Sequence, residues 1–188
     1  MLDLTQGQFV KHVVMHPFEG FEDLRWKKAG SVKIAIGIVC LLFIQALAYS
    51  RMYGFQYYSS YDKIFNIVPF IFQSFGIFLL YVVCNWAMCT LFDGEGSFKD
   101  IFIATSYSLL PLPLLIIPTT IASNWVSSSE ASIITFIGTV AFIWVGILLF
   151  FGTMVTHDYS MFKNFIIIFF TIVAMAVIVF IVLLFSML

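Results

Sequence analysis

An all-α integral membrane protein, a bundle of five transmembrane helices preceded by a short amphipathic interfacial helix, is the fold class that this chain predicts. Three observations carry it. Five apolar runs, 32–49, 64–92, 101–121, 133–155 and 165–188, each reach the roughly 18 to 25 residues that cross a bilayer core as a helix. Hydrophobic residues make up 62% of the chain, charged residues only 10%, and the mean hydropathy is +1.05, whereas about a quarter of a soluble domain is charged. No stretch between the runs is long enough to fold alone, so residues 31–188 form one membrane domain behind a leader at 1–30.

In the leader, the segment from Pro17 to Lys28 places Glu19, Glu22 and Asp23 ahead of Arg25, Lys27 and Lys28. That order suits the helix dipole, and Pro17 suits a first helical position. The expected element is a helix lying on the membrane surface. Phe18, Phe21 and Trp26 would face the acyl boundary, Lys27 and Lys28 would meet the headgroups, and Phe9, Val10, Val13 and Val14 would extend the apolar stripe upstream. The alternative is a leader that serves insertion alone. Lys11, Arg25, Lys27, Lys28 and Lys33 precede or open the first run, which under the positive-inside rule puts the N-terminus in the cytoplasm and, after five spans, the C-terminus outside. Lys99 and Lys163 then fall on cytoplasmic loops, and Arg51 and Lys63 on external ones. A cleaved signal peptide fits the first run less well, because the run outlasts a typical h-region and follows a long polar leader.

Run two, about 29 residues or roughly 43 Å as a helix, exceeds the hydrocarbon core. Pro69 is the expected break, leaving Tyr57, Tyr58 and Tyr61 as an interfacial belt. The connection Asp93–Asp100 sets Gly94 and Gly96 to end one helix and Ser97 with Asp100 to cap the next. Run three holds Pro111, Pro113 and Pro118 and should kink, with neighbouring helices covering the freed backbone. Run four carries Gly138, Gly146 and Gly152, small residues suited to close helix packing. Run five has almost no polar atom and should face lipid.

The chemistry that the composition disfavours is also informative. No Asp, Glu, Arg or His lies at mid-depth in any run, although ion-coupled carriers and proton relays generally need one. Hydrolase and metalloprotease motifs are missing, so enzyme activity is not expected. Cys40, Cys84 and Cys89 lie inside runs without ligand spacing and read as small apolar residues. No metal, cofactor or nucleic acid is expected. Gln45, Gln73, Asn85 and Thr171 are the polar residues within the runs, with interhelical hydrogen bonding as their expected use.

The topology gathers Asp93, Glu95, Ser97, Phe98, Lys99 and Asp100 on one cytoplasmic loop and His157, Asp158, Tyr159 and Lys163 on another, beside His12 and His16 of the leader. This is the expected partner-binding face. Its structural alternative is ordinary solvated loop charge.

The arrangement resembles the Yip family, the Ypt/Rab-interacting type of five-span membrane protein, in its compact bacterial form. The resemblance rests on His16-Pro17-Phe18-Glu19-Gly20-Phe21 before run one and Gly94-Glu95-Gly96-Ser97-Phe98-Lys99 after run two. Tyr107 with Pro111 in run three, Trp144 in run four, and His157-Asp158-Tyr159-Ser160 with Lys163 beyond it complete the pattern. The long cytoplasmic arm of eukaryotic members, which act in vesicle trafficking, is missing. The resemblance implies a non-enzymatic membrane scaffold or accessory subunit in a bacterial plasma membrane, possible partners being the permease subunits of an ABC-type carbohydrate importer. Two other readings stay open: a channel or carrier for a small solute that uses the Pro-broken third span, and a receptor for a cytoplasmic protein.

Overall fold

The computed structural model describes residues 6–54 and 66–186. Among these, α1 (Gln6–Met15) and α2 (Pro17–Trp26) form the leader and α3 (Val32–Met52) is the first span. The second span joins α4 (Val68–Ile71), a π-helical turn (Phe72–Gly76) and α5 (Ile77–Leu91). The third joins α6 (Phe98–Ser108) to α7 (Pro111–Ala122), and the last two are α8 (Ala131–His157) and α9 (Met161–Ser186). Five helical segments are therefore long and apolar enough to cross a membrane. Tyr57, Tyr58 and Tyr61 lie outside the described residues.

The third span sits at the centre. It is 56% buried over its most apolar window, against 11% for the fifth, because α3, α5 and α8 pack around α6 and α7 while α9 lies outside on α5 and α8. Such a position covers the break that the prolines cause. The chain turns at Leu109 and Leu110, and Pro111 then opens α7, where a residue without an N–H leaves no helical donor missing. Pro111 and Pro113 are buried, whereas Pro118 lies inside α7 at an exposed position.

Pro69 does not break the second span. It lies in the first turn of α4, and the irregular backbone comes three residues later, in the π turn. The next connection forms as its residues suggest. Ser97 Oγ accepts from the Asp100 N–H at 3.3 Å, and the Ser97 N–H donates to Asp100 Oδ2 at 3.2 Å, a complete capping box. Ser97→Ala is expected to lower stability by about 1 kcal/mol, measurable as a fall in the thermal midpoint in detergent.

The leader folds as two helices and not one, and each turns a face onto the bundle while Phe18 and Trp26 stay exposed. Phe9, Val13, Phe21 and Leu24 are buried in one cluster with Ile103, Ala104, Tyr107, Leu148 and Val155. Phe21 is 0% exposed, so it does not face the acyl boundary; Phe18 is exposed and Trp26 is 70% exposed. The physical reason lies in two glycines. Gly20 lets α2 close on Val13 of α1, and Gly152 admits the Phe21 ring against α8, leaving 3.2 Å between a built Cβ and Phe21 Cζ. The hairpin reaches far along α8: the Trp144 indole Nε1 donates to the Val14 carbonyl at 3.1 Å, about 20 Å from His157 at the helical rise per residue.

Gly138 and Gly146 are likewise corrected. A Cβ on either meets nothing within 4 Å, so neither makes a close helix contact; of the three glycines expected to do so, Gly152 does. Gly138→Ala is expected to stabilise the protein by about 0.5–1 kcal/mol. Gly152→Val should cost about 1–3 kcal/mol by displacing Phe21, and thermal unfolding of the two variants side by side checks both.

Candidate functional site: a loop face latched by the leader

The two loops singled out in the sequence meet at one end of the bundle. Each follows a span that ends on an aspartate in the left-handed conformation, Asp93 at φ 56 and Asp158 at φ 56, a conformation that Asp tolerates better than most residues. The turn after α8 directs Tyr159 back onto α5. Its hydroxyl donates to the Cys89 carbonyl at 3.1 Å and lies 3.4 Å from that of Phe92. The Cys89 carbonyl also accepts from the Gly94 N–H at 2.8 Å and the Phe92 N–H at 3.2 Å, so the Tyr159 hydroxyl adds a further donor at the end of α5. Burial, and next to it the neighbouring Cys89, raises the Tyr159 phenol above the usual tyrosine range. It therefore stays a donor at pH values where an exposed tyrosine ionises.

Gly94 and Gly96 serve this contact and not the turn itself, since neither has positive φ. A Cβ on Gly94 would collide with His157 Nδ1, Tyr159 Oη and the Cys89 carbonyl oxygen, and one on Gly96 would come within 2.8 Å of the His157 ring. The close approach lets the Gly96 N–H donate to His157 Nδ1 at 3.2 Å. That bond assigns the neutral imidazole its proton at Nε2. His157 is buried and stacks on Tyr159 with ring centroids 5.4 Å apart, and Lys163 Nζ lies over the Tyr159 ring, 4.5 Å from its centre.

The leader closes the arrangement through a residue that the sequence reading passed over as topogenic charge. Arg25 donates through Nη1 to the Val155 carbonyl at 2.8 Å, pairs through Nη2 with Glu95, and lies 3.5 Å from Asp158. One guanidinium thus joins α2, the end of α8 and both loops. A lysine could not make these contacts together, because only the planar fork presents several donors in fixed directions. Arg25→Lys is expected to insert normally but to lower the thermal midpoint and to raise protease cleavage in the leader, with Lys27→Arg as the silent control. The available signal was that Arg25 stands alone as an arginine among the leader's lysines.

Beneath the latch is a space of about 10 Å3, the size of one water, bounded by Asn85, Ser108, Thr153, Thr156 and His157. Asn85 Nδ2, Thr156 Oγ1 and His157 Nε2 are buried without a protein partner among the described residues. The interior side of the latch is consequently polar, and it includes Asn85, whose expected role was interhelical bonding; its carbonyl oxygen takes a long contact from Cys89 Sγ at 3.8 Å within its own helix.

The remaining predicted residues divide between the latch and the surface. Glu95 and Asp158 keep side-chain exposures of 66% and 74% while touching Arg25, so each still presents carboxylate oxygen outward. Phe98 is exposed and packs edge-on against Trp86 at 5.9 Å. Lys99 and Asp93 are exposed. Lys27 pairs with Asp23 at 2.7 Å within α2, and Lys28 takes the left-handed conformation that ends the leader. His12 and His16 stack on one another at 5.3 Å and do not join the loops' hydrogen bonds.

Comparison with known proteins gives one result that bears on this face. The Yip1 domain family model matches residues 11–184, which takes in most of the leader, both loops and nearly all of the five spans. No curated protein matches, and no solved structure matches.

Proposed function

The chain belongs to the Yip1 domain family, and from that membership we propose that it works as a scaffold or accessory subunit of a larger membrane complex, through its latched loop face. Members of this family are membrane proteins and not enzymes. The observation that carries the proposal is the use made of charge. Arg25 holds Glu95 and Asp158 in place yet leaves both largely exposed, flanked by the exposed aromatics Trp26, Phe98 and Phe162. Ordered acids beside exposed aromatic rings form a surface whose groups need no further ordering on binding, which lowers the entropic cost of association.

In this reading the loop face lies in the cytoplasm of a bacterial cell, the C-terminus lies outside, and the partners are integral membrane proteins. The permease subunits of an ABC-type carbohydrate importer are the partner class we favour. Support for the orientation comes from the basic residues of the leader and of the two loops. The site residues are Asp93, Glu95, Ser97, Phe98, Lys99, His157, Tyr159 and Lys163, joined by Arg25.

Native purification from mild detergent, followed by mass spectrometry, tests the proposal. A stoichiometric membrane partner should co-purify and should be lost on charge reversal at Glu95 and Asp158 while the protein remains folded. If the partner is retained by that variant, the face is not the docking surface. If the protein purifies alone and the reconstituted chain moves a solute, the scaffold reading gives way to that of a channel or carrier.

A further inference from the structure

Two departures from regular helix meet at one place inside the bundle, which adjoins the small polar space beneath the latch and shares Thr105 and Leu149 with it. The π turn Phe72–Gly76 interrupts the second span, and the turn at Leu109 and Leu110 interrupts the third. Between them is a chamber of about 350 Å3, which Gln45 of α3, Gln73 and Ser74 of the π turn, Tyr81 of α5 and Leu109 all line. π turns within helices are frequent at functional sites, and non-helical backbone at membrane depth is found where it is covered by protein or lines a cavity. The size and the mostly apolar wall with a few polar groups are those of a ligand site.

The polar groups define the chemistry. None of the lining residues is Asp, Glu, Lys, Arg or His, so an ionised ligand group would find no counter-charge at this depth. The Tyr81 hydroxyl is buried, directed toward Thr153, and makes no well-formed hydrogen bond among the described residues. Glutamine amides and hydroxyls together offer both donors and acceptors, which suits a hydroxyl or an ester.

The chamber is not closed. A cleft of about 760 Å3 between α5, α8 and α9 shares Tyr81, Leu149 and Met175 with it, and its other walls are apolar, among them Gly146, Ala176 and Phe180. With no side chain at Gly146 and nothing within 4 Å of a Cβ there, α8 leaves room for a chain along α9. We propose that the chamber and the cleft form one binding site for an uncharged long-chain amphiphile of the acylglycerol or fatty-alcohol class, with its hydroxyl or ester end among Gln45, Gln73, Ser74 and Tyr81 and its hydrocarbon chain in the cleft. None of its lining residues belongs to the exposed loop face, and the partner proposal does not bear on it.

Photo-crosslinking of the full chain in nanodiscs tests the assignment, using a diazirine-bearing monoacylglycerol and a fatty acid with the same diazirine-bearing chain. The monoacylglycerol should label α5, α8 and α9 near Tyr81, Leu149 and Met175, and unlabelled monoacylglycerol should compete. The fatty acid, ionised at pH 8, should label these peptides at least about tenfold less. Gln73→Leu, at an exposed position, should weaken competition by roughly five- to tenfold, as the loss of one or two hydrogen bonds requires. Gly146→Phe should abolish labelling. Equal labelling by both probes, labelling spread evenly along α9, or competition unchanged by Gln73→Leu would each overturn the proposal. Should Gly146→Phe fail to fold, the two probes and Gln73→Leu still decide it.

Discussion

Phe21→Ala is expected to destabilise the protein by about 3–5 kcal/mol, the cost of removing a fully buried aromatic ring and leaving a cavity. Its side chain sits between α2 and the open surface at Gly152 of α8, inside the cluster that also holds Val13, Tyr107 and Leu148. Phe18, half-exposed three residues earlier, should cost less than about 1 kcal/mol when changed in the same way. A surface helix would reverse the emphasis: both rings would meet lipid, and both changes would weaken membrane contact without moving the unfolding midpoint. Thermal or denaturant unfolding in a lipid-like detergent, with both variants measured together, separates the two cases.

Gly94→Val is the second large effect. Even a Cβ at this position would meet His157 Nδ1, Tyr159 Oη and the backbone oxygen of Cys89, and a backbone oxygen within a helix end cannot move aside as a flexible side chain can. Overpacking costs typically about 1–3 kcal/mol. The displacement also strains the bond of the Tyr159 hydroxyl to the Cys89 carbonyl and that of the Gly96 N–H to His157 Nδ1, so an added loss of roughly 1 kcal/mol for each broken bond is expected. Gly7→Val, where a Cβ meets nothing, should leave the midpoint unchanged. The consequence should not stay local. Because Arg25 bonds both to Glu95 on the Gly94 loop and to Val155, a displaced loop should loosen the leader as well.

The membrane character, the five spans, the capping box at Ser97 and Asp100 and the central place of the third span were all legible, because each depends on length, hydropathy or a spacing along the chain. The leader was legible only in part. Its apolar stripe at Phe9, Val13, Phe21 and Leu24 marks a face that must be covered, but lipid and a neighbouring helix are equally apolar coverings, and the choice rests on Gly20 and Gly152, which lie about 130 residues apart. The same limit explains the other differences. Gly94 and Gly96 were read as helix stops, since glycine serves that role in many helices, whereas the left-handed residue is Asp93 and the glycines make room for His157. Gly138 and Gly146 match a packing pattern yet face open space. Arg25 was counted with the lysines of an insertion signal; its standing as the one arginine of the leader marks it out, but the carboxylates it pairs with lie 70 and 133 residues away along the chain.

The central claim is that leader and loop face form one cooperative unit. Amide hydrogen exchange of the protein in lipid nanodiscs, with and without Gly94→Val, tests it most directly. Amides of residues 9–26 should be protected in the parent protein and should lose protection in the variant together with those of the 92–97 loop. Protection of the leader that is unchanged when Gly94 is replaced, with the loop alone exchanging faster, would contradict it.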